Sequence, residues 1–401
     1  MNFRKNELKY QVLLSIFIIS TWVNFPFITI FGAQLRFEFF TSLILLHFVI
    51  LNRKYLGINS FHSRFPIALL FFILINLISS LYFALVPLQS LWMLLQIVNG
   101  MFAYGILKRV FHKELFFKSS SRVTQFIAFF YLIYCFLKLI NVIKDPLNLF
   151  DESGRFHGYS FESNILASQS LFWIFIENKF NNHKSKIHFL LVSTLILLIF
   201  LSQTRAAIFC LLVYFFAHRF KTTLQNPIRI VQLTFLFALL LFLSNLNITQ
   251  MSKYYDDNTF QGRILRLVDL NSGTALYRKE VIKIALDDFN KSSDVIQYLG
   301  SGTNSFKQHH EIDISKVESG YIPSLWIQCL YDSGLFGVFF ILIFFMNQFR
   351  INASNSIYDK LFYVSVILCA GFTNAIWFSY FWLSLGFFCN PQINSSSYGD
   401  R

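Results

Sequence analysis

Long apolar runs follow one another along almost the whole 401-residue chain, and they constrain its fold more than any other feature. Twelve runs can be distinguished, at residues 11–31, 38–52, 66–86, 91–107, 124–143, 161–177, 187–202, 206–219, 228–246, 321–347, 357–374 and 376–389. A helix needs ~20 apolar residues to cross a bilayer, where backbone polar groups must be satisfied within the protein. The runs predict an all-α polytopic membrane protein with about 12 transmembrane helices. Several runs are shorter than this length, so 11 spans are an alternative.

The composition supports this class of protein. Hydrophobic residues make up 55% of the chain and charged residues 14%, against roughly 25% charged in an average soluble domain. The net charge is +13, but the basic residues stand in short clusters between apolar runs, as membrane-flanking Lys and Arg do. We therefore expect a lipid bilayer as partner and no nucleic acid. The five cysteines lie in or beside apolar runs, which argues against a disulfide framework and a cysteine metal site.

The first run has the charged start of a secretory signal, with Arg4, Lys5 and Lys9 before it. The apolar core of a signal peptide is only ~7–15 residues long and ends at a small-residue cleavage site. The run at residues 11–31 is longer and continues through Trp22 and Pro26. We expect it to stay in the protein as a membrane helix.

Lys and Arg are distributed asymmetrically between the loops. With the N-terminus inside, the cytoplasmic segments hold 20 Lys or Arg and the short outer loops hold 4, namely Arg36, Lys144, Arg155 and Arg205. Cytoplasmic loops of membrane proteins carry such an excess. This predicts that both termini are cytoplasmic.

The one long hydrophilic stretch, residues 247–320, divides the chain into three parts. It holds 9 Lys or Arg and 10 Asp or Glu, so it is charge-balanced. Loops this long are uncommon unless they have a function. We expect a membrane domain at residues 1–246 with about nine helices, a large extracytoplasmic loop at 247–320, and about three membrane helices at 321–401 with a short cytoplasmic tail. We interpret the loop as the recognition half of an active site.

Three arginines on the outer side have the surroundings of anion ligands. Arg155 precedes a span, Arg205 lies in a very short outer connection, and Arg278 lies on the apolar stripe of a helix predicted over residues 274–289. Planar guanidinium groups suit phosphate oxygens, above all in a partly dry site. The alternatives are that Arg155 and Arg205 lie among lipid headgroups, and that Arg278 snorkels or forms a local ion pair.

Other polar residues have simpler explanations. Arg263 and Arg266 fit an amphipathic surface, and Lys138 reaches the outer interface from a span. His309 and His310 lack a helix-spaced third ligand, so we predict no metal. Asp332 is either a carboxylate at a helix end or a site residue.

Several motifs resemble those of the bacterial O-antigen polymerase and O-antigen ligase superfamily. They are Arg155-x-x-Gly158-x-x-x-Glu162, Leu201-Ser202-Gln203-Thr204-Arg205-Ala206-Ala207, Arg278 early in the long loop, Gly300-Ser301-Gly302 followed by Phe306, and Glu318-Ser319-Gly320-Tyr321 leading to Asp332-Ser333-Gly334-Leu335-Phe336-Gly337. The resemblance covers residues 150–345, and it depends on the order of these motifs rather than on any single one.

The resemblance implies an all-helical glycosyltransferase of the GT-C-like architecture in the bacterial cytoplasmic membrane, with its long loop in the periplasm. The expected donor and acceptor are oligosaccharides on undecaprenyl pyrophosphate, and no cofactor is expected. Arg155, Arg205 and Arg278 would hold the pyrophosphate. Glu162, Glu318 or Asp332 would accept the proton of the attacking hydroxyl. Chain-length regulators and flippases are further candidate partners.

Departures from the ligase pattern favour a polymerase. Ligases typically carry a His 11 positions before the first Gly of the final Gly-x-x-Gly, and here that position is Pro323. Glu162 likewise stands where ligases often have Pro-Asn. The ligase is the alternative within the superfamily. A transporter is the alternative outside it, although mid-span charges are nearly absent and no internal repeat is visible.

Overall fold

The fold is mostly helical. The computed structural model describes residues 2–24, 26–31, 33–52, 66–107, 113–140, 142–151, 154–160, 162–180, 186–219, 274–310, 322–351, 357–371 and 374–389. Helices account for 79% of the described residues, which confirms the prediction that the chain is mainly helical.

Fourteen α-helices lie within these described ranges. They are α1 (Asn2–Trp22), α2 (Phe37–Leu51), α3 (Ile67–Tyr82), α4 (Pro87–Leu107), α5 (Lys113–Leu139), α6 (Ser163–Phe180), α7 (Lys186–Leu201), α8 (Arg205–Arg219), α9 (Thr274–Lys291), α10 (Asp294–Leu299), α11 (Phe306–His309), α12 (Leu325–Ile351), α13 (Ile357–Gly371) and α14 (Ser379–Phe388). A 3₁₀ turn, Ala375–Trp377, precedes α14.

Ten of the twelve apolar runs coincide with helices, the first run is helical only as far as Trp22, and the run at residues 228–246 lies outside the described residues. Among the helices described, two contain segments long and apolar enough to cross a membrane by length and composition, Ser119–Lys138 and Leu325–Arg350. The structure thus gives weak support for membrane association, and the count of about 12 spans stays a prediction.

The first run departs from the prediction. The helix α1 ends at Trp22, and the chain then forms an antiparallel hairpin of β1 (Pro26–Ile30) and β2 (Ala33–Arg36). Proline lacks a backbone N–H and disfavours helical conformation at the residue before it, so it suits the first position of a strand. The prediction of an all-α chain and of one helix through residue 31 is therefore wrong at this hairpin.

Helix pairs distant in sequence pack along one another. α12 packs along α3, α14 along α4, and α1 against α2 and α5. The side chains of Trp22, Trp173 and Trp382 are fully buried between these helices. Helices α1 to α8 and α12 to α14 therefore share one continuous core, and Val281 and Ala285 of α9 belong to a second, smaller cluster.

Polar side chains connect the helices inside this core. Ser20 of α1 and Thr41 of α2 share a hydrogen bond of 2.6 Å between their hydroxyl oxygens, and the Gln169 amide of α6 donates to the Thr21 hydroxyl at 3.0 Å. Small polar residues hold helices together in this way inside membranes.

Large apolar side chains cover the outside. Phe126 is 76% exposed, Phe189 is 75% exposed and Met346 is 69% exposed. A water-soluble monomer rarely exposes apolar patches of more than a few hundred Å². Polar contacts inside and apolar side chains outside are the arrangement expected of helices surrounded by lipid.

Two glycine motifs recognised in the sequence meet in space. α12 is kinked at Gly334, whose φ of 63° and ψ of −166° are not helical. A Cβ at Gly334 would collide with the carbonyl of Tyr298, and a Cβ at Gly300 would collide with the carbonyl of Asp332. The turn after α10 and the kink of α12 therefore approach closely because both positions are glycine.

We predict that Gly334→Ala destabilises the protein by about 1–3 kcal/mol, since this backbone region is essentially restricted to glycine. The measurement is the midpoint of thermal unfolding of the purified protein. Gly105→Ala in α4 is the matched control, because a Cβ added there would meet no other atom within 4 Å. That variant should be neutral or stabilised by about 0.5–1 kcal/mol. Equal midpoints for the two variants would contradict this account of the kink.

Candidate anion-binding site

Arg155 is held in a fixed position between α5 and α6. Its Nε donates to the Ser202 carbonyl at 3.0 Å, and one of its terminal nitrogens donates to Asn164 Oδ1 at 3.2 Å. Its backbone N–H donates to the Asp151 carboxylate at 2.8 Å. Arg155 therefore connects the end of α7 with the start of α6.

The α7–α8 turn packs against the start of α6 through the same asparagine. The Thr204 hydroxyl lies 3.2 Å from Asn164 Oδ1 and 3.3 Å from the Ser163 carbonyl. Gln203 takes a positive φ of 53°, which makes the turn tight. Arg205, the first residue of α8, follows directly. The turn thus brings Arg205 into the neighbourhood of Arg155.

Two helix N-termini converge here, those of α6 and α8. The first N–H groups of a helix have no acceptor within the helix, and the helix dipole makes this end partly positive. Such ends bind phosphate and carboxylate groups in many proteins. Together with Arg155 and Arg205, they favour an anion.

Arg278 adds a third guanidinium from the hydrophilic stretch. It lies on α9 and is partly buried. The helix predicted over residues 274–289 is confirmed, and Ala285 of its predicted stripe is buried. Burial lowers the pKa of Arg278, and the Glu162 carboxylate raises it. Arg278 and Glu162, which are separated by more than a hundred residues, therefore lie within electrostatic range of each other.

The charged groups that act on Arg155 include Arg278 and Glu162. Burial lowers its pKa, the Asp151 carboxylate raises it, and the positive charge of Arg278 lowers it. Glu162 raises the pKa of Arg155 and Arg205 lowers it, both to a smaller extent. Arg205, Arg278 and Glu162 thus all lie within electrostatic range of Arg155. The mutual repulsion of the arginines is a cost that a bound polyanion would relieve.

Asp332 has structural contacts. It is 3% exposed, and its Oδ1 accepts from the Gln328 amide at 2.8 Å. The backbone N–H groups of Asn304 and Ser305 donate to the same carboxylate. The Gly302 N–H donates to the Asp332 carbonyl at 3.0 Å. These donors favour a role in attaching the loop to α12 over that of a base.

The remaining candidate residues are distributed as follows. Glu318, Arg263 and Arg266 lie outside the described residues. His310 Nε2 pairs with the Asp288 carboxylate. Among the residues that the structure describes, no group of three or more His, Cys, Asp or Glu side chains is arranged to hold a metal ion.

Arg36, which was counted among the outer-loop charges, is a structural residue rather than a headgroup anchor. It is 2% exposed, it donates to the Trp377 carbonyl at 3.1 Å, and its guanidinium lies 3.8 Å from the centre of the Phe378 ring. The neighbouring Glu38 accepts from the Ser379 N–H at 3.2 Å. Arg36 at the end of the hairpin and Glu38 at the start of α2 thus attach this corner of the chain to the segment that leads into α14.

The sequence did not reveal Asn164 and Thr204 as site residues. Their signal was weak, because polar residues at the start of an apolar run are common helix caps. Only the fold shows that they join segments about 40 residues apart in sequence, as their hydrogen bonds do.

Asp145 organises the loop that leads to Arg155. Its carboxylate accepts from the Tyr134 hydroxyl at 2.5 Å, from the Leu149 N–H at 2.9 Å and from the Phe150 N–H at 3.1 Å. Lys138 Nζ lies 3.3 Å away. Burial raises the pKa of Asp145, but these donors together bring it below its usual value.

Comparisons with known proteins do not assign a family. No family model matches the chain, and no curated protein matches it significantly.

We predict that Asp145→Asn destabilises the protein by about 1–3 kcal/mol at neutral pH, because the loop loses a charged acceptor. A lowered carboxylate pKa gives stability that is present above the ordinary value of about 3.9 and lost as the pH falls through the lowered value. The difference in unfolding midpoint between wild type and variant should therefore be constant down to about pH 4 and shrink below it. Asp287→Asn, at an exposed carboxylate of α9, is the control. A difference independent of pH down to acid unfolding would contradict the role of the charge.

Proposed function

We propose that the protein is a membrane glycosyltransferase that polymerises oligosaccharide repeat units carried on undecaprenyl pyrophosphate. The observation that carries the proposal is that Arg205 and Arg278 both act electrostatically on Arg155, whose side chain contacts the start of α6 close to the start of α8. The proposal combines this site with the resemblance of the sequence motifs to O-antigen polymerases.

The chemistry needs cations placed in advance. An acceptor hydroxyl oxygen attacks the anomeric carbon of the donor, and the bond between that carbon and the phosphate oxygen breaks. The leaving undecaprenyl pyrophosphate takes the electron pair and gains negative charge. Donors already aimed at this group stabilise the transition state more than the ground state. Guanidinium forks and helix N–H groups both suit phosphate oxygens.

The hydroxyl proton needs an acceptor close to the arginines. Of the two proposed carboxylates that the structure describes, Glu162 and Asp332, Glu162 is the one whose charge acts on both Arg155 and Arg278. It stands directly before α6 and is partly buried. We therefore assign the base to Glu162, within reach of a sugar whose pyrophosphate the arginines hold.

A location in the bacterial cytoplasmic membrane fits the surface of the protein. Two segments have the length and composition of spans, and exposed Phe and Leu side chains cover the outer faces of the described helices. We propose about 12 spans, with both termini cytoplasmic and residues 247–320 in the periplasm, from the apolar runs and the distribution of Lys and Arg.

We predict that Lys at position 155, 205 or 278 lowers the polymerisation rate about a hundredfold, the order of magnitude seen when one preorganised donor is removed from an oxyanion site. Lys keeps the charge but not the planar fork of donors. The assay is polymerisation by purified protein on lipid-linked repeat units, with the amount of folded protein measured in parallel.

Lys279→Gln is the control for this series. Lys279 is adjacent to Arg278 and exposed, so its loss should leave the rate almost unchanged. Full activity in all three arginine variants would contradict a role in pyrophosphate binding and would indicate that these residues are structural.

We also predict that a strain without this protein carries surface acceptor with a single repeat unit instead of a ladder of polymers. A polymerase joins units before transfer, so its loss still lets a separate ligase attach one unit. The banding pattern of the lipopolysaccharide checks this. Bare acceptor with polymer stranded on the carrier would assign the ligase reaction instead.

A further inference from the structure

An apolar surface extends beyond the membrane helices onto the hydrophilic stretch. The short helix α10 packs on α12 and α3. Its Val295 side chain is 53% exposed and its Tyr298 side chain is 49% exposed. The Tyr298 ring packs against the Phe336 ring with centroids 5.4 Å apart. Thus α10 presents apolar side chains outward from the place where α12 is kinked.

This surface is continuous with the apolar flank of α12 and α3. After the kink, α12 exposes Phe336 and Phe339, and the stripe continues towards its other end through Leu342 and Met346. The neighbouring α3 exposes Leu81 near the kink of α12. The two helices meet through stacked rings such as Phe71 and Phe340, with centroids 5.0 Å apart. Whatever solvent covers these flanks therefore also reaches α10.

The connection from α3 to α4 extends the same surface. Residues 67–107 contain no charged residue. At the turn, Tyr82 is 77% exposed, Leu85 is 61% exposed and Val86 is 42% exposed. Gly302, in the turn that follows α10, packs closely on the backbone of Ser80 and the side chain of Ala84. The turn and α10 thus form one unit, which we call the outer wedge (residues 82–88 and 294–299).

The length of α3 sets the depth of the outer wedge. α3 has 16 residues, and at 1.5 Å per residue it is about 24 Å long. The hydrocarbon core of a bilayer is about 30 Å thick. A helix this short that starts at the inner boundary ends below the outer boundary. The apolar turn then lies within the outer leaflet rather than in water.

We propose that the outer wedge is inserted into the outer leaflet of the bilayer, at the boundary of headgroups and acyl chains. This inference assumes the proposed membrane location. Tyr298 suits this depth, because its ring is apolar and its hydroxyl is polar. Lys291 at the end of α9 and Asp294 at the start of α10 are both exposed, and their charges suit the water side of this boundary.

Insertion of the outer wedge has a consequence for the arginine site. Val281 of α9 packs in one cluster with Tyr331 of α12, close to the kink on which α10 lies, so the depth of α10 also sets the height of this part of α9. α9 carries Arg278. The wedge therefore holds Arg278 near the level of lipid headgroups, where the pyrophosphate of a lipid-linked substrate lies.

The test is the depth of a fluorescent probe. We place single cysteines at Val295 and Leu85, label them with an environment-sensitive fluorophore, and reconstitute each protein into phosphatidylcholine vesicles. The native cysteines that the structure describes are all buried, and the unsubstituted protein treated in the same way gives the background. Quenching is measured with aqueous iodide, with lipids carrying a nitroxide near the headgroup, and with lipids carrying it near the chain end.

We expect the shallow nitroxide to quench both probes several-fold more than iodide does. The deep nitroxide should quench them less than the shallow nitroxide. This is the pattern of a helix inserted about 5–10 Å into the interface. A probe at Lys283→Cys, on the exposed face of α9, should instead be quenched more by iodide than by either nitroxide lipid. Phe339→Cys reports on the flank of α12 and should be quenched by nitroxide lipids.

The outcomes separate this inference from the proposed function. Iodide quenching at Val295 and Leu85, with lipid quenching at Phe339, would overturn the outer wedge and leave the membrane location intact. Absence of lipid quenching at all three positions would overturn both. Shielding of Val295 and Leu85 from iodide and lipid alike would show that a protein surface, such as a second copy of the chain, covers the patch instead.

Discussion

The Arg155 side chain joins the elements of the candidate site. Its guanidinium donates at once to the Ser202 carbonyl after α7 and to the Asn164 side chain at the start of α6. Asn164 also contacts the Thr204 hydroxyl, so the α7–α8 turn is attached at two points. Hydrogen bonds from charged donors contribute about 1.5–3 kcal/mol each. This bridge adds to the packing of α6, α7 and α8 on one another, and it fixes the guanidinium of Arg155 beside the N-termini of α6 and α8.

Close packing at two glycines attaches the described part of the hydrophilic stretch to the helices. Gly300 and Gly334 let the turn after α10 approach the kink of α12, and Asp332 accepts hydrogen bonds from that turn. The buried Val281 of α9 packs in a cluster with Tyr331 of α12. One helix turn before Val281, Arg278 comes into electrostatic range of Arg155 and Glu162. The hydrophilic stretch and the apolar helices thus come together because small residues permit close packing where they meet.

Much of this could be predicted from the sequence, for physical reasons that are specific to each element. Apolar runs predicted helices well, because a long apolar segment has few alternatives to internal hydrogen bonding in lipid. The hairpin at Pro26 was missed, because its residues are as apolar as those of a helix and only proline marks the change. Arg278 was found on the stripe of α9. Asn164 and Thr204 were not predicted as site residues, because their roles arise from contacts between distant segments that periodicity does not encode. Arg36 was counted as a loop charge, yet it is buried against Phe378.

The central claim is that Arg155, Arg205 and Arg278 form one pyrophosphate site. The most direct test is the binding of undecaprenyl pyrophosphate and undecaprenyl monophosphate to the purified protein, measured by native mass spectrometry. The account predicts that the pyrophosphate binds more tightly than the monophosphate, and that this preference disappears when all three arginines are replaced by lysine. Equal affinity for the two lipids in the wild-type protein, or an unchanged preference in the triple variant, would contradict it.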